Sequence, residues 1–162
     1  MSRPIIGKLV PGPDLSGRLE AIRQDVVQGI LPIMPPPASS RDAELGHVLI
    51  DAVWNELVRE SWDNEIFERL RPVATGTLHV TNQRLVFHSR AKTASLEFKD
   101  IVDVAKVNGH LYIEMIGPND PYILLDPPEA LELIELILSK AIERSRLNKK
   151  ARLVGSNRRK RL

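Results

Sequence analysis

Gly76-Thr-Leu-His-Val-Thr-Asn-Gln-Arg-Leu-Val-Phe-His-Ser89 is the stretch that decides how this chain is read. Leu78 and Val80 stand two apart, as do Leu85 and Phe87, which is the period of strands with one buried face. Residues 81–84, Thr-Asn-Gln-Arg, join the two runs, and Asn82 can take the left-handed backbone that a tight turn needs. A β-hairpin is expected, with Leu78, Val80, Leu85 and Phe87 turned toward a core.

The same pattern continues on both sides of the hairpin. Strands are expected at 64–71, 75–81, 84–89, 94–98, 102–107, 110–116 and 121–125. Asn108-Gly109 supplies a turn in which both residues tolerate positive φ, and Gly117-Pro-Asn-Asp-Pro121 supplies the next. A closing helix should follow, with Asp126 as cap, Pro127 and Pro128 in the first turn and Glu129 placed as in a capping box. On its wheel Ala130, Leu133, Ile134, Ile137, Leu138 and Ala141 share one face. Leu136 stands alone in the polar face and hints at a contact surface.

Upstream the periodicity changes. Leu15, Leu19, Ile22 and Val26 predict a helix over Asp14–Gln28, ended by Gly29 and the prolines that follow. Residues 1–13 read as a loose lead-in, and Pro32-Ile-Met-Pro-Pro-Pro37 as a stiff extended spacer. A second helix is expected from Ser39-Ser40 to about Arg59, through Leu45, Val48, Leu49, Ala52, Val53 and Leu57. Asp42 and Glu44 would sit in its first turn, where the macrodipole favours acids. Trp54 and Trp62 are expected to pack against the sheet.

The segment Gly-x-Leu-x-Val-Thr-Asn-x-Arg-Leu-x-Phe, residues 76–87, resembles the signature hairpin of GRAM domains, members of the PH-like superfamily. Leu96-x-Phe98-x-Asp100-Ile101 and the Asp126-Pro-Pro-Glu-Ala start of the last helix are also similar. The resemblance covers about residues 62–145. It implies a bent antiparallel barrel of about seven strands, one end plugged by a C-terminal capping helix; together with the helical extension read over 1–60, which has no counterpart in the minimal family pattern, the fold class expected is α+β. It implies structural roles for the motif, with Thr81 and Asn82 shaping a turn, Arg84 pairing with an acid, and Leu85 and Phe87 filling the core. It implies no catalytic residue. Domains of this kind are associated with phosphoinositide headgroups, membranes and peptide partners.

Charge divides the chain. Residues 146–162 hold eight Lys/Arg and no acid, leaving 15 of the 23 basic residues against all 21 acids in the first 145. The body is therefore acidic, and the final segment reads as a basic, disordered tail. The tail cations are Arg146, Lys149, Lys150, Arg152, Arg158, Arg159, Lys160 and Arg161. Attraction to an anionic lipid surface is worth about 1 kcal/mol per basic residue. Nucleic acid would give salt-sensitive, sequence-independent binding through the same charges, without an aromatic in the tail to stack on bases.

Headgroup binding needs several Lys/Arg converging at one barrel mouth. Only Arg90 and Lys92 qualify in the loop after Phe87, and residues 72–142 carry six basic against nine acidic side chains. His47, His79, His88 and His110 have no metal-ligand spacing, and the chain has no cysteine, so neither a metal site nor a disulfide is expected. Without a phosphate-cradling glycine loop or a nucleophile elbow, no enzyme activity or cofactor is expected. No apolar run approaches the ~20 residues of a membrane span, and no secretory signal is read at the start, so a cytoplasmic location is expected.

The function expected is a non-catalytic binding or adaptor module with a protein or peptide partner, peripheral to anionic membrane surfaces through its tail. The alternative is a nucleic-acid-associated accessory protein whose tail binds phosphates while the barrel docks a protein. A self-assembling protein using Leu136 and the N-terminal helices is a third reading.

Overall fold

The computed structural model describes residues 15–160, with side chains over 17–151. The lead-in read over 1–13 lies outside the described residues. The first helix, α1 (Leu15–Val27), forms where its apolar spacing predicts, with Leu19 and Val26 buried and Ile22 partly so. Gly29, at φ 87°, ends it. Its N–H bonds the Val26 carbonyl at 2.9 Å while the Ile30 N–H bonds Asp25 at 2.9 Å, the paired contacts of a Schellman ending.

The second helix does not form. Its place is taken by a strand, β1 (Gly46–Trp62), that turns directly into β2 (Glu65–Thr81). Leu45, Val48, Leu49, Ala52 and Val53 satisfy a helical stripe. However, Val48, Ile50, Ala52 and Trp54 also alternate, and these four are the buried ones. Pairing with β2 on one side and with β7 (Pro121–Asp126) on the other outweighs the helical pattern, as tertiary context commonly does with β-branched sequences. The two strands expected at 64–71 and 75–81 are one strand, β2. The count of seven strands therefore stands, with one of them in a segment read as helix.

The remaining strands are β3 (Arg84–His88), β4 (Thr93–Glu97), β5 (Ile101–Val107) and β6 (His110–Met115). Their order in one curled antiparallel sheet is β4-β3-β2-β1-β7-β6-β5. Asn108 and Gly109 take φ 49° and 77°, the two-residue turn expected. Asp63 and Asn64, at φ 50° and 64°, make an equivalent turn between β1 and β2 that the sequence reading passed over.

The closing helix, α2 (Leu131–Lys160), follows a short 3-10 turn at Pro128–Ala130. Asp126 ends β7 rather than capping the helix. All six residues of the expected apolar face are buried, from Ala130 through Ala141. They pack on the concave side of the sheet, against Ile50, Leu78, Leu85, Phe87, Leu111 and Ile123. Leu136 is half-buried and packs on this core rather than standing alone in the polar face. The helix also continues through much of the segment read as a disordered tail. Arg, Lys, Leu and Ala are good helix formers, and no proline follows Pro128 to stop it.

The proline run is not a free spacer. Leu31 and Met34 are buried, and Met34 exchanges backbone bonds of 2.9 and 3.1 Å with Gly46 at the start of β1. Residues 31–45 thus form a strap over the β1–β2 end of the sheet. Among the described residues, no helix is long and apolar enough to cross a membrane.

Candidate functional site

The motif of the β2–β3 hairpin works through its side chains, and it holds the strap. Arg84 is buried and grips the buried Glu44 from two sides, Nε to Oε2 at 2.9 Å and NH2 to Oε1 at 3.0 Å. Its remaining donors reach the Ser39 carbonyl at 2.9 Å and the Ser95 hydroxyl at 3.1 Å. The Thr81 hydroxyl donates to Glu44 at 2.9 Å and accepts from the Gln83 and Arg84 N–H groups at 3.1 Å. Asn82 does not adopt positive φ. Its amide instead accepts from the Leu45 N–H at 2.8 Å and donates to the Ala43 carbonyl at 3.1 Å. Burial pushes the Glu44 carboxyl up, but the bonds from Arg84, Thr81 and the Arg41 N–H outweigh it and hold the group below its ordinary range. Every strong donor and acceptor in this clamp is already satisfied, so it is architecture rather than a binding site.

Two histidines lie under the same strap. Buried His47 donates Nδ1–H to the Pro32 carbonyl at 2.7 Å, and buried His79 leaves Nε2 without a hydrogen-bond partner. Burial lowers both pKa values from 6.5; Glu44 opposes the shift at His79, while Arg84 and His47 add to it. Unfolding lets both rings protonate at the ordinary value, so the unfolded chain binds more protons just below pH 6.5. Stability is therefore expected to fall as pH drops through 6.5 toward the lower folded-state values. Urea midpoints across that interval check this, and the double variant His47→Gln/His79→Gln should flatten the slope. His88 and His110 sit at the surface, with contacts of 3.4 Å to Thr93 Oγ1 and 2.9 Å to the Asn108 carbonyl. Among the described residues, no group of three or more His, Cys, Asp or Glu could hold a metal ion.

Arg90 and Lys92 occupy the β3–β4 turn, where the Ser89 hydroxyl accepts from the Lys92 N–H at 2.9 Å. Lys92 places its ammonium 5.1 Å from the Trp54 ring centroid, and Trp54 in turn packs 5.3 Å from Phe87. One of the two cations is thus engaged with a core aromatic. Trp54 packs as expected, whereas Trp62 is 76% exposed.

Three of the tail cations fall into a different setting. Ser139, Ile142, Glu143, Arg146, Lys149 and Lys150 recur at helical spacing along α2 and face β5, the last strand of the sheet. Between helix and strand lies an open groove of about 590 Å³. Val102 and Leu147, 53% and 59% exposed, give it an apolar lining beside the three cations. Arg146 donates to the Ile101 carbonyl at 2.8 Å, and the Asp103 carboxylate accepts from the Val104 N–H at 2.8 Å. Both contacts cover backbone groups of β5 with exposed or half-exposed side chains that a ligand can displace. Arg161 lies outside the described residues, as do the side chains of Arg152, Arg158, Arg159 and Lys160.

No protein-family model matches the chain, and no curated protein matches it. Among solved structures it is similar to the C-terminal domain of an unknown protein from Leishmania infantum, at 13% identity and a TM-score of 0.38, over 79% of this chain and 98% of that one. A likeness of that size carries no argument about function.

The sequence reading identified Arg146, Lys149 and Lys150 as a charge cluster but missed Val102 and Leu147 beside them. Leu147 was legible as the apolar residue between Arg146 and Lys149. Val102 acquires meaning only once β5 is known to end the sheet.

Proposed function

We propose that the chain is a non-catalytic binding module of PH/GRAM-like architecture, and that its groove between β5 and α2 holds a segment of a partner protein. The observation that carries this reading is the pairing of exposed Val102 and Leu147 with Arg146, Lys149 and Lys150 along one groove. A segment that alternates apolar and acidic side chains would complement it, as strand-like peptides do when they lie on a sheet edge. Its backbone would exchange with Asp103 and Arg146 for the Val104 N–H and the Ile101 carbonyl. The cations would add on-rate and selectivity, and both would fall with salt.

A fluorescent peptide of alternating leucine and glutamate, compared with one of alternating leucine and glutamine, tests the reading by anisotropy. The acidic peptide is expected to bind more tightly. Lys149→Glu/Lys150→Glu should weaken it by about tenfold or more, since rim charges on opposite partners become repulsive. Vesicles containing phosphatidylserine and duplex DNA are the competing arms. Binding to either of these, with none to the peptide, would replace the peptide reading by a membrane or nucleic-acid one.

A further inference from the structure

β1 and β2 outrun the rest of the sheet. β7 pairs with β1 only over Asp51–Glu56, and β3 pairs with β2 only over Thr77–Val80. Residues 57–62 and 65–71 consequently pair with each other alone, as a two-stranded ribbon projecting past the sheet. Such a ribbon is marginal in water by itself. This one carries Trp62, Ile66 and Phe67 at 76%, 74% and 51% exposure, so its large apolar side chains do little to hold it to its own chain.

The turn geometry shows which backbone groups the ribbon offers. A two-residue turn with positive φ at Asp63 and Asn64 closes on Trp62 and Glu65 as a hydrogen-bonded pair. By alternation the N–H and C=O of Ile66, Glu68 and Leu70 then point away from β1. Among the described residues, no hydrogen bond reaches them. The β5 edge differs in that Asp103 covers its Val104 N–H and Arg146 its Ile101 carbonyl. Pro72, which has no N–H, ends the open stretch on β2.

That stretch reads Glu65-Ile-Phe-Glu-Arg-Leu-Arg71, acids ahead of arginines. Laid antiparallel on itself about Glu68, it sets Glu65 opposite Arg71, Ile66 opposite Leu70 and Phe67 opposite Arg69. The outward groups of Ile66, Glu68 and Leu70 meet one another in this register, as an antiparallel ladder requires. A shift by one residue breaks that match, and a shift by two sets Ile66 opposite Glu68. Leu57 stands across from Leu70 on the same ribbon face and is 41% exposed, so the pairing would gather Leu57, Leu70 and a second chain's Ile66. Only Glu68 meets a like charge at the axis, and Arg59 of its own chain lies 2.8 Å from it. The strand is thus self-complementary, which is what a two-fold interface demands.

We propose that two copies of this chain associate through the outer edges of β2, residues 65–71, joining their ribbons into four strands. Sedimentation of the full chain over a concentration series at low salt should show a dimer of twice the 18.2 kDa chain mass. Glu65→Arg or Arg71→Glu alone should weaken it by about tenfold or more, because each turns two cross-strand ion pairs into like-charge contacts. An equimolar mixture of these two variants restores both pairs and should dimerise again. Glu68→Thr should tighten the dimer by removing the repulsion at the axis. Arg71 is about half exposed and pairs only loosely with Glu56, at 3.8 Å, so circular dichroism should show both charge variants folded. A chain that stays monomeric throughout would overturn the proposal. So would a dimer indifferent to both charge reversals, or a mixture no tighter than either variant alone.

Discussion

Glu44→Ala is expected to destabilise the protein by about 3–5 kcal/mol, the usual result of removing one partner from a buried ion pair. The loss comes from what stays behind. Arg84 is 6% exposed, and without Glu44 its guanidinium keeps only the Ser39 carbonyl and the Ser95 hydroxyl as partners. Urea denaturation at neutral pH reads the effect. Pairing it with Arg84→Met, which removes the stranded charge, should recover much of the loss, since buried ion pairs are often replaceable by apolar side chains of similar volume. A pH dependence follows with the same sign as that of the histidines but from a different cause, hydrogen bonds to the charged form rather than burial of the neutral one. The folded-state pKa of Glu44 is depressed, so its contribution is present above the ordinary carboxylate value of 4.5 and is lost as pH falls through the lower folded value. The histidine effect sets in around 6.5, above the pH at which this one begins.

Gly76→Ala is the second large effect, expected at about 3 kcal/mol or more, at or beyond the upper end of ordinary overpacking. Gly76 opens the hairpin stretch and does not need glycine for its φ. It needs glycine for space, because a Cβ there would stand 2.0 Å from the His88 carbonyl oxygen and 2.7 Å from Ser89 Cβ. The nearest atom belongs to backbone and cannot rotate aside, so β2 and β3 would have to separate at their open end. Native-state hydrogen exchange should show amides at Thr77 and His88 losing protection before those at His79 and Val86, further along the same ladder.

What the sequence allowed and what it hid both have physical causes. The β2–β3 hairpin, the Asn108-Gly109 turn and the buried face of α2 were legible because each rests on local period and turn chemistry. β1 was misread because Leu49 and Val53 lie on the half-exposed outer face yet complete a helical stripe with Val48 and Ala52. Only the pairing partners of β1 decide between the two periods. Glu44 looked like an acid favouring a helix start, while its actual partner stands forty residues away. The expectation that Arg84 pairs with an acid was right about the chemistry and silent about which acid. The basic segment was plain in composition, but its reading as a disordered tail kept Arg146, Lys149 and Lys150 apart from the strand beside them. Trp62, Ile66 and Phe67 look like core residues in any composition-based reading. Their exposure follows from how far β1 and β2 extend past their neighbours, which no local pattern records.

The ligand proposed for the β5–α2 groove is an acidic, apolar-dotted segment. Backbone amide chemical shifts, followed by nuclear magnetic resonance as the leucine–glutamate peptide is added, test it most directly. Saturable shifts are expected, clustered at Val102, Asp103 and Val104 and along Arg146–Lys150, and absent in the Lys149→Glu/Lys150→Glu variant. Shifts centred on the Ser89–Lys92 turn, or none at any peptide concentration, would contradict it.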